Sequence, residues 1–215
     1  MPFSIGPRLL GRALICVFSR AWWLVRSVCG SFRRFLDAVV ASPIVATWMR
    51  WLGVEVDEVS TKEKAVSGLG GFVAIGILML ITRDALDLHG ASMVIASMGA
   101  SAVLLFAVPH GQLSQPWPVV AGHVTSALIG VTAAEMIGSI ELAAAVAVGA
   151  AIGAMHVLKC IHPPGGATAL TAVVGGPAVY DLGFQFVVRP VLLNAVAMVM
   201  LAVAFNAMFA WRRYP

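Results

Sequence analysis

Six apolar segments follow one another along this chain, at roughly 66–81, 91–108, 119–138, 142–158, 163–180 and 190–210. Each approaches the ~20 residues that carry a helix through the hydrocarbon of a bilayer. Between Val66 and Ala210 only eight residues are charged: Arg83, Asp84, Asp87, Glu135, Glu141, Lys159, Asp181 and Arg189. Most of them fall in the short breaks between segments. Lipid offers backbone groups no hydrogen-bond partner, so such segments span as helices. The pattern predicts an all-α polytopic membrane protein. Composition excludes the soluble alternative: 60% of the 215 residues are hydrophobic and 11% charged, against about a quarter charged in soluble domains.

Charge also orders the chain into parts. Residues 1–50 hold seven arginines and one acid, Asp37. Beside membrane spans this bias reads as topology, not as nucleic-acid binding. The part is basic and amphipathic, with "AWWLV" between arginines, and suits an interfacial segment on anionic lipid. An Arg-rich transit peptide is its rival. A polar hinge, 51–65, follows, where Ser60 and Glu63 have the spacing of a capping box that opens a helix. The membrane domain covers 66–210, and 211–215 form a basic tail. If all six segments cross, the arginine-rich start, Lys159 and Arg212–Arg213 share one side. If the fifth re-enters, the tail is stranded on the other, against the positive-inside tendency. Six crossings are expected, with both chain ends cytoplasmic in a bacterial inner membrane.

The second segment contains "GASAVLLFAVP", from Gly99, and the fifth "GATALTAVVGGP", from Gly166. Each is followed by a segment opening with Pro-Val. Three segments repeated imply two halves inverted relative to each other, the middle helix of each half broken. Small residues recurring for helix packing are the plainer account.

"KCIHPPGGATAL", Lys159 to Leu170, carries the second break. Proline disfavours helix in the residue before it and is tolerated in a helix's first turn. A helix is therefore predicted to start at Pro163–Pro164, with N–H groups near Gly165, Gly166 and Ala167. A helix N-terminus attracts anions, and His162 and Lys159 stand beside it. One reading is the wall of a small-anion site, the other a tight interfacial turn. Ser97, Gly99, Ala100 and Ser101 hold the matching place in the other half, where Ser101 pairs with Thr168. His123 lies inside the third segment, where an ionisable residue is a functional candidate by default; a neutral histidine bonded to a carbonyl is the alternative. His156, Cys160 and His162 suggest a metal or redox site but lack further ligands in register. The three cysteines show no framework spacing, no cofactor is indicated, and no hydrolase or phosphate-loop motif points to an enzyme.

"HPPGGATAL", "SMGASAVLLF" from Ser97 and "QPWPVVAGHVTSA" from Gln115 closely resemble the HPP family of integral membrane proteins, and "WLGVE" at 51–55 is similar to the family's approach to its first span. The resemblance covers about 51–210. It implies a multi-span membrane protein, and plastid and cyanobacterial relatives are assigned nitrite transport. Carried over by position, it marks His162, Pro163, Pro164, Gly165, Gly166, Ala167 and Thr168, then Gly99, Ala100 and Ser101, then Gln115, Pro116, Gly122 and His123. Pro118 departs from the asparagine common in relatives, which puts a side-chain role there in doubt. The expected function is passage of a small inorganic anion, nitrite first, by a homo-oligomer. A neutral-solute channel or a metal- or redox-binding membrane protein are the alternatives.

Overall fold

The computed structural model describes residues 42–53, 59–82 and 88–215. The chain divides into two units, residues 1–58 and 59–215. In the first, α1 (Pro43–Trp51) begins on a proline, and Thr47 Oγ1 donates to the Pro43 carbonyl at 2.8 Å. Ile44, Trp48 and Trp51 are exposed along it. Most of the amphipathic segment expected over 1–50 lies outside the described residues, as does 54–58 of the hinge.

The second unit is helical, and its described residues contain no strand. Its helices are α2 (Thr61–Thr82), α3 (Leu88–Ala107), α4 (Pro116–Met136), α5 (Ile140–Val157), α6 (Pro163–Val174), the single turn α7 (Pro177–Tyr180) and α8 (Leu193–Ala207). A distorted π turn, Val187–Leu192, leads into α8. Among the described residues, four stretches are long and apolar enough to cross a membrane: Thr61–Thr82, Pro116–Met136, Ile140–Val157 and Val187–Ala207. Of the other two expected segments, the second is the 20-residue helix α3 and the fifth is short. In the fifth, α6 stops after 12 residues, about 18 Å at 1.5 Å per residue. It stops there because Gly176, at φ 77°, turns the chain before Pro177 starts another helix.

Side-chain contacts order the helices end to end. Arg212, after α8, meets Glu63 at the start of α2 and the Phe106 carbonyl at the end of α3. Asn206 Nδ2 donates to the Leu105 carbonyl at this same near end. Trp117, opening α4, donates to the last carbonyl region of α5 at Leu158, 3.2 Å away. At the far end Asn194 Nδ2 donates to Thr82 Oγ1 at 2.8 Å. The six long elements thus alternate in direction, and α2 begins where α8 finishes.

Close approach of α4 and α6 organises the interior. Gly122, Ser126 and Gly130 recur every fourth residue on α4, a small-residue stripe of the kind that lets membrane helices touch backbones. A Cβ on Gly130 would lie 2.5 Å from the Ala169 carbonyl oxygen, and one on Gly165 would lie 2.8 Å from Ser126 Oγ. On α5, Ala143, Ala147, Ala151 and Met155 are buried at the same spacing. A second core joins α2, α3 and α8, where Phe106 and Phe205 meet edge to face at 5.5 Å. Outward-facing residues are largely apolar, Phe72 at 78% exposed among them. Lipid covers such a surface.

Candidate functional site

The HPP stretch builds its geometry locally. Helix α5 ends with Lys159 at φ 53°. The Cys160 N–H donates to the Met155 carbonyl at 2.9 Å and the Lys159 N–H to the His156 carbonyl at 3.2 Å. This pair of bonds is a Schellman closure, with lysine where glycine is usual. His162 is then extended (φ −140°, ψ 101°), as a residue before proline must be, and Pro163 and Pro164 open α6. The chain is thereby turned so that the His162 ring points inward.

Four polar side chains from three helices and this turn meet there, and all are buried. Ser101 Oγ of α3 lies 2.8 Å from His123 Nε2 of α4 and 2.8 Å from His162 Nε2. His123 Nδ1 lies 2.7 Å from Thr168 Oγ1 of α6. His162 Nδ1 lies 2.8 Å from the Leu113 carbonyl oxygen, which only accepts. The two imidazole rings sit edge to face, centroids 4.9 Å apart. A carbonyl partner requires a proton on His162 Nδ1, so in the neutral ring Nε2 is an acceptor. Ser101 donates to it, His123 Nε2–H donates to Ser101, and Thr168 donates to His123 Nδ1. Every bond in the chain points toward Leu113.

The expected residues divide. Ser101, His123, His162 and Thr168 come together. Ser97 is buried nearby, but its hydroxyl donates to the Val94 carbonyl at 2.9 Å. Pro164 and Gly165 are buried in the α4 seam, whereas Pro163 and Ala167 are exposed. Ala100 is exposed, and a Cβ added at Gly99 or at Gly166 would meet no atom within 4 Å. The expected break at Ser97–Gly99 is corrected: α3 runs unbroken through it, so these N–H groups serve the helix. At α6 two prolines remove the first donors, and the Gly165 N–H bonds the His162 carbonyl at 2.8 Å. What the described side chains bring together here is a histidine–hydroxyl chain.

His156, Cys160 and His162 do not converge either. His156 is exposed, His162 is engaged as above, and burial pushes the Cys160 thiol up, away from the thiolate a metal needs. Among the described residues no group of three or more His, Cys, Asp or Glu side chains could hold a metal ion. The partner missed in the sequence is the Leu113 carbonyl, since a backbone acceptor 49 residues away leaves no residue-type signal. The basic tail is also not free. Arg212 is buried and pairs with Glu63 at 2.7 Å, and Tyr214 is buried in the second core.

A cavity of about 360 Å³ lies elsewhere, toward the far end between α4, α5, α6 and α7. It is lined mainly by apolar groups such as Val131, Val173 and Val179, with Glu135 at its edge. It does not touch the histidine chain.

Two curated transmembrane proteins of Dictyostelium discoideum are each 35% identical to this chain. One aligns over 181 residues (80% of this chain, 63% of the relative) and the other over 172 (77% and 55%). The chain therefore spans about three fifths of the length of the curated relatives it matches. No solved structure matches it. Residues 56–215 match the profile described as HPP, transmembrane region. With its four membrane-length apolar helices, this is an integral membrane protein, and the chain belongs to the HPP transmembrane family.

Proposed function

We propose that this protein passes a small inorganic anion across the membrane, nitrite being the leading candidate. One observation carries the reading: a connected polar chain, His123, Ser101, His162 and Thr168, is buried where three helices cross in an otherwise apolar bundle. Polar and ionisable groups inside membrane proteins are costly, and they mark solute and ion paths. The choice of nitrite rests on the resemblance of the HPP blocks to relatives assigned that transport. On this reading all six segments of two inverted halves cross, α6 aided by its flanking turns. The near end is cytoplasmic, because Lys62, Lys64, Lys159, Arg212 and Arg213 gather there. A homo-oligomer fits the exposed glycines Gly149 and Gly153 of α5, where an added Cβ would meet no atom within 4 Å.

The test is flux into proteoliposomes, comparing nitrite with nitrate, formate, chloride and urea. Wild type is expected to move nitrite, and Ser101→Ala to lose about tenfold or more of that flux while still folding. If no anion moves, or the alanine variant transports equally well, the reading falls. Urea moving alone replaces it with a neutral-solute channel.

A further inference from the structure

The geometry points to a one-proton store: the chain from Thr168 to His162 takes up a single proton with each anion, so that proton and anion cross as a neutral pair. This rests on the anion reading above.

The chain has two complete hydrogen-bond settings that differ by one proton. In the neutral setting Thr168 O–H, His123 Nε2–H, Ser101 O–H and His162 Nδ1–H all donate in the direction of the Leu113 carbonyl. Now let a proton from water bond to Thr168 Oγ1 as the Thr168 proton passes to His123 Nδ1, the His123 Nε2 proton to Ser101 Oγ and the Ser101 proton to His162 Nε2, one bond to hydrogen forming at each atom as another breaks. His162 Nε2–H then donates to Ser101, and Nδ1–H keeps its bond to Leu113. Ser101 O–H donates to His123 Nε2, and His123 Nδ1–H donates to Thr168 Oγ1. The new Thr168 O–H donates to the Pro164 carbonyl, which lies 3.4 Å away. Four protons have become five, and no polar atom is left without a partner. The chain ends on backbone carbonyls at both extremes, so a second proton finds no acceptor.

The surroundings tie this proton to an anion. From α3 the chain is faced by Ser97 and Ser101, which are uncharged. From α4 comes His123, from the α5–α6 turn Cys160 and His162, from α6 Thr168, and from the α3–α4 connection the Leu113 carbonyl. None is a carboxylate. Among the described residues, the ion pair is Glu63–Arg212, between the start of α2 and the tail. A cation buried without a counter-charge is strongly disfavoured, and an arriving anion supplies that charge. The anion in turn finds a positive charge on this otherwise uncharged chain only when the proton is present. Each stabilises the other, so they load and leave together.

The experiment uses the full chain in proteoliposomes holding a pH dye, with protein-free vesicles correcting for nitrous acid crossing lipid. Nitrite is added outside, with and without an imposed potassium-diffusion potential. The expected result is internal acidification matching nitrite entry at about one proton per anion, unaffected by the potential. Thr168→Val, nearly isosteric, is expected to cut proton-coupled entry by about tenfold, and Thr168→Ser, which keeps the hydroxyl, to retain it. Nitrite entry that follows the potential without acidification overturns the coupling and leaves the anion reading standing. Equal coupling in the valine variant also overturns it. No nitrite entry in wild type overturns both.

Discussion

Two buried polar clusters in this protein are built on opposite terms. The histidine chain holds no ion pair in its neutral setting, and every nitrogen and oxygen in it has a partner. The tail cluster is ionic. Arg212 donates to Glu63 through Nε at 2.9 Å, to Ser67 Oγ at 2.9 Å and to the Phe106 carbonyl, and Trp211 Nε1 donates to Glu63 at 2.8 Å. Yet Arg212 Nη1 and the Tyr214 hydroxyl are buried without a partner. A neutral chain of donors and acceptors can reverse as a whole, because each member both gives and takes. An arginine only gives, so its cluster has one setting. The first arrangement suits a moving part and the second a fastening.

The most damaging way to break the comparison is to wedge the seam on which the histidine chain rests. Gly130→Val places a side chain against the Ala169 backbone, which has no room to shift. A loss of about 3 kcal/mol or more is expected, seen as aggregation on size-exclusion in detergent. Gly76→Val, at an exposed position of α2 where an added Cβ meets no atom within 4 Å, is the control and should elute normally. Removing the fastening costs less. Arg212→Met leaves Glu63, only 23% exposed, without its cation, and unfolding in detergent should show a loss of about 2 kcal/mol. Adding Glu63→Gln should recover part of it; no recovery would mean that the arginine acts through packing alone.

The smallest effect sharpens the contrast between satisfied and orphaned groups. Burial pushes the Tyr214 phenol from 10.0 up to about 12. The folded state favours the neutral phenol, so this contribution is whole below pH 10 and is lost as pH rises toward 12. A melting temperature that falls across that window in wild type should not fall in Tyr214→Phe. Because the hydroxyl has no partner, the same substitution should leave neutral-pH stability level or raise it by up to about 1 kcal/mol. A marked loss at neutral pH would show a partner for the hydroxyl.

Much of the scaffold was legible before the structure because its rules are local. The residue before a proline pair is extended and the pair opens a helix, so α6 begins at Pro163 as read. Ser60 caps α2, the Glu63 N–H lying 3.2 Å from its hydroxyl. The other half of that capping box failed, since a charged arginine 149 residues away outbids a neutral N–H for the Glu63 carboxylate. The break read at Ser97–Gly99 was absent because glycine permits a break without requiring one, whereas two prolines remove donors outright. His123, Ser101 and Thr168 stood out as polar residues in apolar segments. That they form one chain depends on the α4 stripe of Gly122, Ser126 and Gly130, whose meaning appears only once α6 lies against it.

The Glu63–Arg212 pair brings the two ends of the 59–215 unit together, and a ring has no privileged beginning. A short linker joining 215 to 59 would leave the packing intact, and a new opening at Gly138–Ser139 would fall in the turn between α4 and α5. The permuted chain would run α5, α6, α7 and α8, then α2, α3 and α4, exchanging its halves in order of synthesis. Its insertion in the membrane would then start from a different helix with the opposite initial direction. Whether such a chain reaches the same bundle separates what the contacts specify from what the order of insertion specifies.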